Sequence, residues 1–316
     1  MHLVTGASGY IGRLLCHCLI SQDFVVKGVG RNAISYTENL EYVRLNLEYD
    51  PLDGLCDGVE TIIHLAGRAH ILNDQEKDPL EVFRRANVHA TVRLAREAMR
   101  RGVKRFIFVS SVGVSAAETK NSGVSELSGN HPVTPYAISK FEAEEALKEL
   151  SNGSPMELVI IRPPLVYGGD APGNFRRLLK VVKLGIPLPF LSLNNQRSLI
   201  AIDNLVDFII HCSKHPAAVG ETFLVSDGTD VSTEDMVRFI SRGMRRTPRL
   251  IYVPIGLIRA GATLMGRESM FSQLFGSLVI DSRKAHQLLG WTPPLNTVDA
   301  LFKAGADYIA LSSPKI

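Results

Sequence analysis

Short apolar runs alternate along the first 160 or so residues with longer segments whose apolar positions recur at helical spacing. The runs are Leu3-Val4, Phe24 to Val29, Thr61 to Leu65, Phe106 to Val109 and Leu158 to Ile161, and the helical segments are Ile11 to Ile20, Phe83 to Met99 and Tyr136 to Leu150. Runs apolar on both faces belong in a covered sheet, and helical links between them make it parallel. The expected fold is therefore α/β, a Rossmann-type doubly wound parallel sheet. Pro163-Pro164 stops the last of these strands, and beyond Gly168-Gly169 the texture turns to Pro, Gly, Asn and basic residues. A crossing into a smaller α+β domain is expected there. Leu199 to Ile202 and Asp203 to Cys212 read as a further strand and helix, and Glu221 to Val225 as a strand returning to the sheet. The expected division is thus interleaved: a dinucleotide-binding domain over 1–167, joined again by 196–228, and a substrate-binding domain over 168–195 and 229–316. No internal repeat or low-complexity segment is present.

A chain of 316 residues with 45% hydrophobic content exceeds the size at which one core usually stops growing, which agrees with a main domain and a smaller one. The net charge of +3 comes from scattered Lys and Arg, so no basic stripe suggests nucleic acid as a partner. Cys16, Cys18, Cys56 and Cys212 show neither metal-ligand nor redox spacing; free thiols in a reducing cytosol are expected. The chain enters a strand at once, so no secretory leader is expected and a cytoplasmic location is inferred. Tyr252 to Gly266 is the longest late apolar stretch, but it contains Pro254 and Arg259 and is shorter than the ~20 residues of a bilayer span. It reads as a packed helix or a wall of the substrate domain, with peripheral membrane contact as the alternative.

Two local patterns carry chemistry. Tyr136 and Lys140 stand at i and i+4 on one helix face, roughly 25 residues after the Ser110-Ser111 pair that ends an apolar run. The ammonium can lie beside the phenol and favour its ionised form, which makes a proton-transfer device. Separately, Gly6, Gly9 and Gly12 follow a strand and open a helix, where backbone can approach a pyrophosphate and helix-terminal amides can hold it. A tight structural turn is the plainer reading of the glycines. A nucleotide site and a proton-transfer site on one chain suggest hydride chemistry. Where a ribose-binding acid usually ends the second strand the chain has Gly30-Arg31, which would accommodate a 2′-phosphate and predicts NADP in preference to NAD, unless Arg31 is a solvated loop charge.

These residues resemble the extended short-chain dehydrogenase/reductase family, in the branch of NAD-dependent epimerase/dehydratase proteins acting on nucleotide sugars. The resemblance rests on T-G-A-S-G-Y-I-G at 5–12, H-L-A-G at 64–67, Asn87, V-S-S at 109–111, Y-A-I-S-K at 136–140, R-P-P-L-V-Y-G at 162–168, R-S-L-I-A-I-D-N-L-V-D at 197–207 and L-G-W-T-P at 289–293. It implies that Ser111 binds the reacting oxygen, Tyr136 exchanges its proton, and Lys140 orients the nicotinamide ribose and lowers the phenol pKa. It implies a dinucleotide held by Gly6, Ser8, Gly9, Tyr10, Ile11, Gly12, Arg31, Asn46, Leu47, Leu65, Ala66, Gly67, Asn87 and Pro163, together with Tyr136 and Lys140. Asn46 and Leu47 would face adenine, although the family more often has Asp at the former position. Substrate would meet Ser111 and Tyr136 at the sugar, and Asn174 and Arg197 at the nucleotide diphosphate, with a solvated ion pair the plainer reading of Arg197. A homodimer is implied through the helices at 83–99 and 136–150.

Other conspicuous residues have ordinary readings: His64 and His70 as packing or loop histidines, with no metal site expected, the Arg176 to Lys183 charges as a solvated helix face, and Trp291 as a core anchor. Related dehydratases carry an Asp-Glu pair directly after the oxygen-binding Ser or Thr. Val112-Gly113 stands there, so elimination of water is not expected. Two reactions at carbon 4 remain, and the chain is similar to bacterial nucleotide-sugar 4-ketoreductases and UDP-glucose 4-epimerases. One is reduction of a UDP-linked 4-keto-6-deoxy-N-acetylhexosamine for surface polysaccharide; the other is epimerisation of a UDP-hexose with retained NAD. The reductase is preferred because Gly30-Arg31 agrees with an exchanging NADP. A steroid- or flavonoid-type dehydrogenase and a non-catalytic NADP-sensing protein are lesser alternatives.

Overall fold

The computed structural model describes residues 1–32, 40–69, 78–119, 122–266 and 268–312, with backbone alone at 268–270. His70 lies outside the described residues. Strand β1 (His2–Thr5) passes through the glycine turn into α1 (Tyr10–Ile20), followed by β2 (Val26–Gly30), β3 (Leu40–Arg44) and β4 (Thr61–His64). A helix in three parts comes next: α2 (Pro79–Arg84), one π turn (Arg85–His89) and α3 (Ala90–Arg100). Then come β5 (Arg105–Val109), α4 (Pro135–Ser151), β6 (Glu157–Arg162), β7 (Leu165–Tyr167), α5 (Gly173–Leu184), β8 (Leu199–Ala201), α6 (Ile202–Lys214) and β9 (Thr222–Leu224). The remainder is helical: α7 (Thr233–Gly243), α8 (Ile255–Leu264), α9 (Glu268–Phe275), α10 (Arg283–Leu289) and α11 (Thr297–Ser312).

The central sheet is parallel throughout, in the order β3-β2-β1-β4-β5-β6-β9. The expected α/β doubly wound architecture is therefore present. Chain order reverses between β1 and β4, and the crevice beyond the carboxyl ends of those strands is where such sheets bind ligands. Val4, Ile63, Ile107 and Ile161 pack on one face with α1 and α6, while Leu3, Ile62, Phe106 and Ile160 pack on the other with α3 and α4. A third core joins β7 and β8, a separate two-stranded parallel sheet, to α5, α7 and α11.

Three expectations need correction. The strand at 199–201 pairs with β7 in the small sheet, and only the strand at 222–224 returns to the large one. Ala285, Leu289 and Trp291, taken from the sequence as part of the substrate domain, pack against α6 and the main sheet. Trp291 is the expected core anchor: its ring meets Phe208 edge-on at 4.8 Å and its Nε1 donates to Asp207 at 2.7 Å. The stretch around 252–266 is neither packed nor a wall, since α8 buries Ala262 alone. No described helix is long and apolar enough to cross a membrane.

Candidate active site

The glycine turn is built by contact. Gly6 adopts φ 69°, a left-handed conformation costly for other residues, and a Cβ on Gly12 would lie 2.2 Å from the Gly6 carbonyl oxygen. The turn and the first turn of α1 can therefore close only with glycine at both places. Gly6, Ser8 and Gly9 line one end of a cleft of about 540 Å³, and Leu65, Ala66 and Gly67 its wall. Arg31, Asn46 and Leu47 line it as well. Tyr10 and Ile11 begin α1, and Tyr10 lines a different cavity with Arg13, Tyr167 and Asp203.

The second strand ends in glycine for a steric reason. A Cβ on Gly30 would stand 2.4 Å from the Tyr42 hydroxyl and 2.8 Å from Ser8 Oγ, so a side chain here would have to displace both hydroxyls. Arg31 is exposed beside the cleft, and Arg68 and Arg85 also line it, with Glu48 the one carboxylate lining it among the described residues. Arg68 and Arg85 escaped the sequence reading. Arg85 sits on the π turn, and helical periodicity gives no sign of which way a π turn points its residues. Asn46 spends its side-chain oxygen on the amide of Glu48 at 3.0 Å, holding the 46–50 turn against the cleft. The glycine cradle, the open cleft and its guanidinium groups fit a dinucleotide.

Gly67 marks where the cleft and the candidate catalytic group meet. Its Cβ position is 2.9 Å from Asn87 Oδ1 and 3.6 Å from Lys140 Nζ. Asn87, on the π turn and buried, accepts from the amide of Arg68 at 2.7 Å and donates to the Arg68 carbonyl at 3.1 Å and to Ser139 Oγ at 2.9 Å. It therefore ties the loop after β4 to α4. Thr134 caps α4 by accepting from the amide of Ala137 at 3.1 Å, and Pro135 opens the first turn, which aims Tyr136 and Lys140 back toward β5. Ser111, at the end of β5, accepts from the amide of Gly113 at 3.1 Å and shares a hydrogen bond with the Tyr136 side chain. Pro163 is buried and accepts from the amide of Val112 at 2.9 Å, fixing the serine loop to the end of β6. Ser111 and Tyr136 are thus brought together, with Lys140 one helical turn further along α4, and positions 112–113 offer no carboxylate.

The electrostatics differ from the expectation. Burial pushes the Tyr136 phenol up to about 12, with the Ser111 hydrogen bond pulling the other way, and Lys140 is not among the influences on it. Lys140 Nζ donates to the Val109 carbonyl at 2.9 Å and lies 4.4 Å from the centre of the Phe108 ring. Desolvation lowers this ammonium to about 8, offset in part by Glu144. His64 proves a packing histidine, fully buried between Thr5 at 2.7 Å and Thr91 at 2.8 Å and held neutral by burial, its pKa near 3. No group of three or more His, Cys, Asp or Glu able to hold a metal occurs among the described residues, and all four cysteines are free thiols.

Asn174 and Arg197 converge on the end of α9. The Asn174 amide donates to Gln273, and Arg197 donates to the Gly276 carbonyl at 2.9 Å. Arg197 is half-buried, burial pulls its pKa down and Glu118 opposes that. It is therefore not the solvated ion pair that was its plainer reading. Arg176, Arg177 and Lys180 are the exposed face expected of α5.

A model of the NAD dependent epimerase/dehydratase family matches residues 2–226. The chain belongs to that family. It is 39% identical over 309 residues, covering 96% of the chain and 94% of the relative, to a UDP-glucose 4-epimerase of Vibrio cholerae. It is 28% identical over 260 residues, 81% of the chain and 76% of the relative, to an N-acetyl-alpha-D-glucosaminyl-diphospho-ditrans,octacis-undecaprenol 4-epimerase of Escherichia coli O157:H7. In fold it is similar to the UDP-glucuronic acid 4-epimerase of Bacillus cereus, solved with UDP-glucuronic acid and NAD, with a TM-score of 0.80 at 21% identity and 99% of each chain covered. Membership makes the chain an enzyme of the short-chain dehydrogenase/reductase type, as its motifs implied.

Proposed function

We propose that the enzyme is an NAD(P)-dependent oxidoreductase acting at carbon 4 of a nucleotide sugar, and that it reduces a UDP-linked 4-keto-6-deoxy-N-acetylhexosamine for surface polysaccharide. The observation that carries the reading is the Tyr136 phenol, hydrogen-bonded to Ser111 and one helical turn from a buried Lys140 at the rim of the dinucleotide cleft. A bound dinucleotide supplies the hydride at the sugar carbon. Ser111 holds the ketone oxygen, and Tyr136 gives that oxygen its proton as hydride reaches the carbon. The C=O bond becomes CH–OH, and the phenolate recovers its proton from solvent. Asn174 and Arg197 hold the nucleotide diphosphate, for which a guanidinium offers two parallel donors.

A phenol held near 12 stays protonated through the physiological range, which suits donation. A 4-epimerase needs the same group as a base in its first half-reaction. The second reading, UDP-hexose 4-epimerisation with retained NAD, is favoured by the Vibrio cholerae relative. The test is to purify the protein, identify any dinucleotide that accompanies it and assay both reactions. We expect no retained NAD, and consumption of NADPH with a 4-keto sugar. Retained NAD with interconversion of UDP-glucose and UDP-galactose would replace the reductase by the epimerase. Tyr136→Phe should lower turnover about 10²–10⁴-fold with dinucleotide affinity kept; unchanged turnover removes the assigned acid.

NADP is the proposed cofactor because, among the described residues, Arg31, Arg68 and Arg85 outnumber Glu48 around the cleft and the second strand ends in Gly30 rather than an acid. Tighter binding of NAD than of NADP would end that argument. A homodimer is proposed through α2–α3 and α4, which an Arg84–Glu142 pair already links at 2.6 Å. Sedimentation giving a monomer mass would refute it.

A further inference from the structure

Helix α8 presents an apolar surface that the described residues leave uncovered. Leu264 is 88% exposed, and Ile255 and Leu257, with Ile251, Tyr252 and Met265 at the two ends, are each at least 45% exposed. The surface extends to a second segment, because Ile251 donates to the Leu188 carbonyl at 2.9 Å and Leu191 to the Ile251 carbonyl at 3.3 Å, which sets the exposed Leu191 beside it. An apolar patch of this kind on a surface otherwise rich in charge marks an interaction site.

The charge around the patch says what covers it. From Met236 to Gly266 the chain carries six arginines and no aspartate or glutamate. Arg242, Arg245, Arg246 and Arg249 are exposed and lead directly into Ile251 and Tyr252, and Arg259 lies within α8 itself. A second copy of the chain meeting this face about a two-fold axis would set arginines against arginines. An anionic lipid surface would instead pair the guanidinium groups with phosphates and take the leucines and isoleucines among its acyl chains. At 10 residues α8 is ~15 Å long, half the ~30 Å of a hydrocarbon core, so it can lie in the interface but not cross it.

We propose that α8 and the arginine segment before it dock the enzyme on the surface of an anionic phospholipid bilayer. The full chain is to be sedimented with vesicles of phosphatidylglycerol and phosphatidylcholine in equal parts, and with vesicles of phosphatidylcholine alone. The expected result is binding to the anionic vesicles at least about tenfold tighter than to the neutral ones, weakening as salt rises. Two double variants, Leu257→Ser with Leu264→Ser and Arg245→Glu with Arg246→Glu, should each weaken it by about tenfold or more. All four side chains are exposed, so the thermal unfolding midpoint should hold, and that measurement identifies a variant that misfolds. Failure of the wild-type chain to bind anionic vesicles overturns the proposal, as does equal binding by both folded variants. A mass that falls from dimer to monomer on Leu257→Ser with Leu264→Ser also overturns it, by giving the face to a second copy.

Discussion

Lys140 is buried at the rim of the cleft, and its environment makes a pH prediction. Only 4% exposed, with Nζ against the Val109 carbonyl and over the Phe108 ring, its ammonium is lowered from 10.5 to about 8 chiefly by burial. Turnover that depends on the charged form should fall as pH rises through about 8, and a flat profile to pH 10 would contradict this. The sign for stability is opposite. Below about 8 the charged group is buried at a cost; between there and 10.5 the unfolded chain binds more protons than the folded one, so stability rises with pH across that window. Lys140→Met should remove this rise in urea unfolding. Glu144 lies beneath, fully buried and paired with Arg162 at 2.9 Å through Nε. Glu144→Gln should cost about 3–5 kcal/mol, because it strands a buried guanidinium. It should also move the alkaline limb to lower pH, since Glu144 raises Lys140. Equal urea midpoints for wild type and variant would refute the first claim. Tyr136, Lys140 and Ser111 were legible because the pairing lies within one helical turn and the serine ends a strand. The ordering of influences on the phenol was not, since desolvation depends on neighbours contributed by distant segments.

Among the elements, α7 and α11 touch through glycine. A Cβ on Gly305 would stand 2.2 Å from the Ile240 carbonyl oxygen, and one on Gly243 2.0 Å from that of Phe302. Alanine is the better helix former by about 1 kcal/mol, but forcing helices apart in a packed core costs about 1–3 kcal/mol. Gly305→Ala should therefore destabilise the protein despite its propensity, and a raised thermal midpoint would show that the helices separate freely. Elements with strong periodicity were legible: the helix expected over 83–99 is there as α2, a π turn and α3, and Pro163-Pro164 does end β6. The π turn was not, because a single extra residue in a turn leaves the apolar spacing nearly intact while it redirects Arg85 and Asn87. Strand β3 was missed for a related reason, as the partly exposed edge of the sheet has no unbroken apolar run to reveal it.

For the whole molecule the cleft couples ligand to stability. If the proposed preference holds, NADP at about 100 times its dissociation constant should stabilise the fold by about 2.7 kcal/mol. NAD at the same concentration should do less, and equal shifts in thermal unfolding would remove the case built on Arg31. By itself the sequence determined the parallel doubly wound sheet, the glycine turn and the Tyr136–Lys140 pair, because each is written in spacing along a few consecutive residues. Only the tertiary structure decided that β8 pairs outside the main sheet, that Trp291 and α10 pack on it, that Arg68 and Arg85 join Arg31 around the cleft, and that the described residues leave α8 uncovered. Those outcomes depend on which surfaces separated parts of the chain bury against one another, and a local pattern of apolar and polar residues records that a face is apolar, not what will cover it.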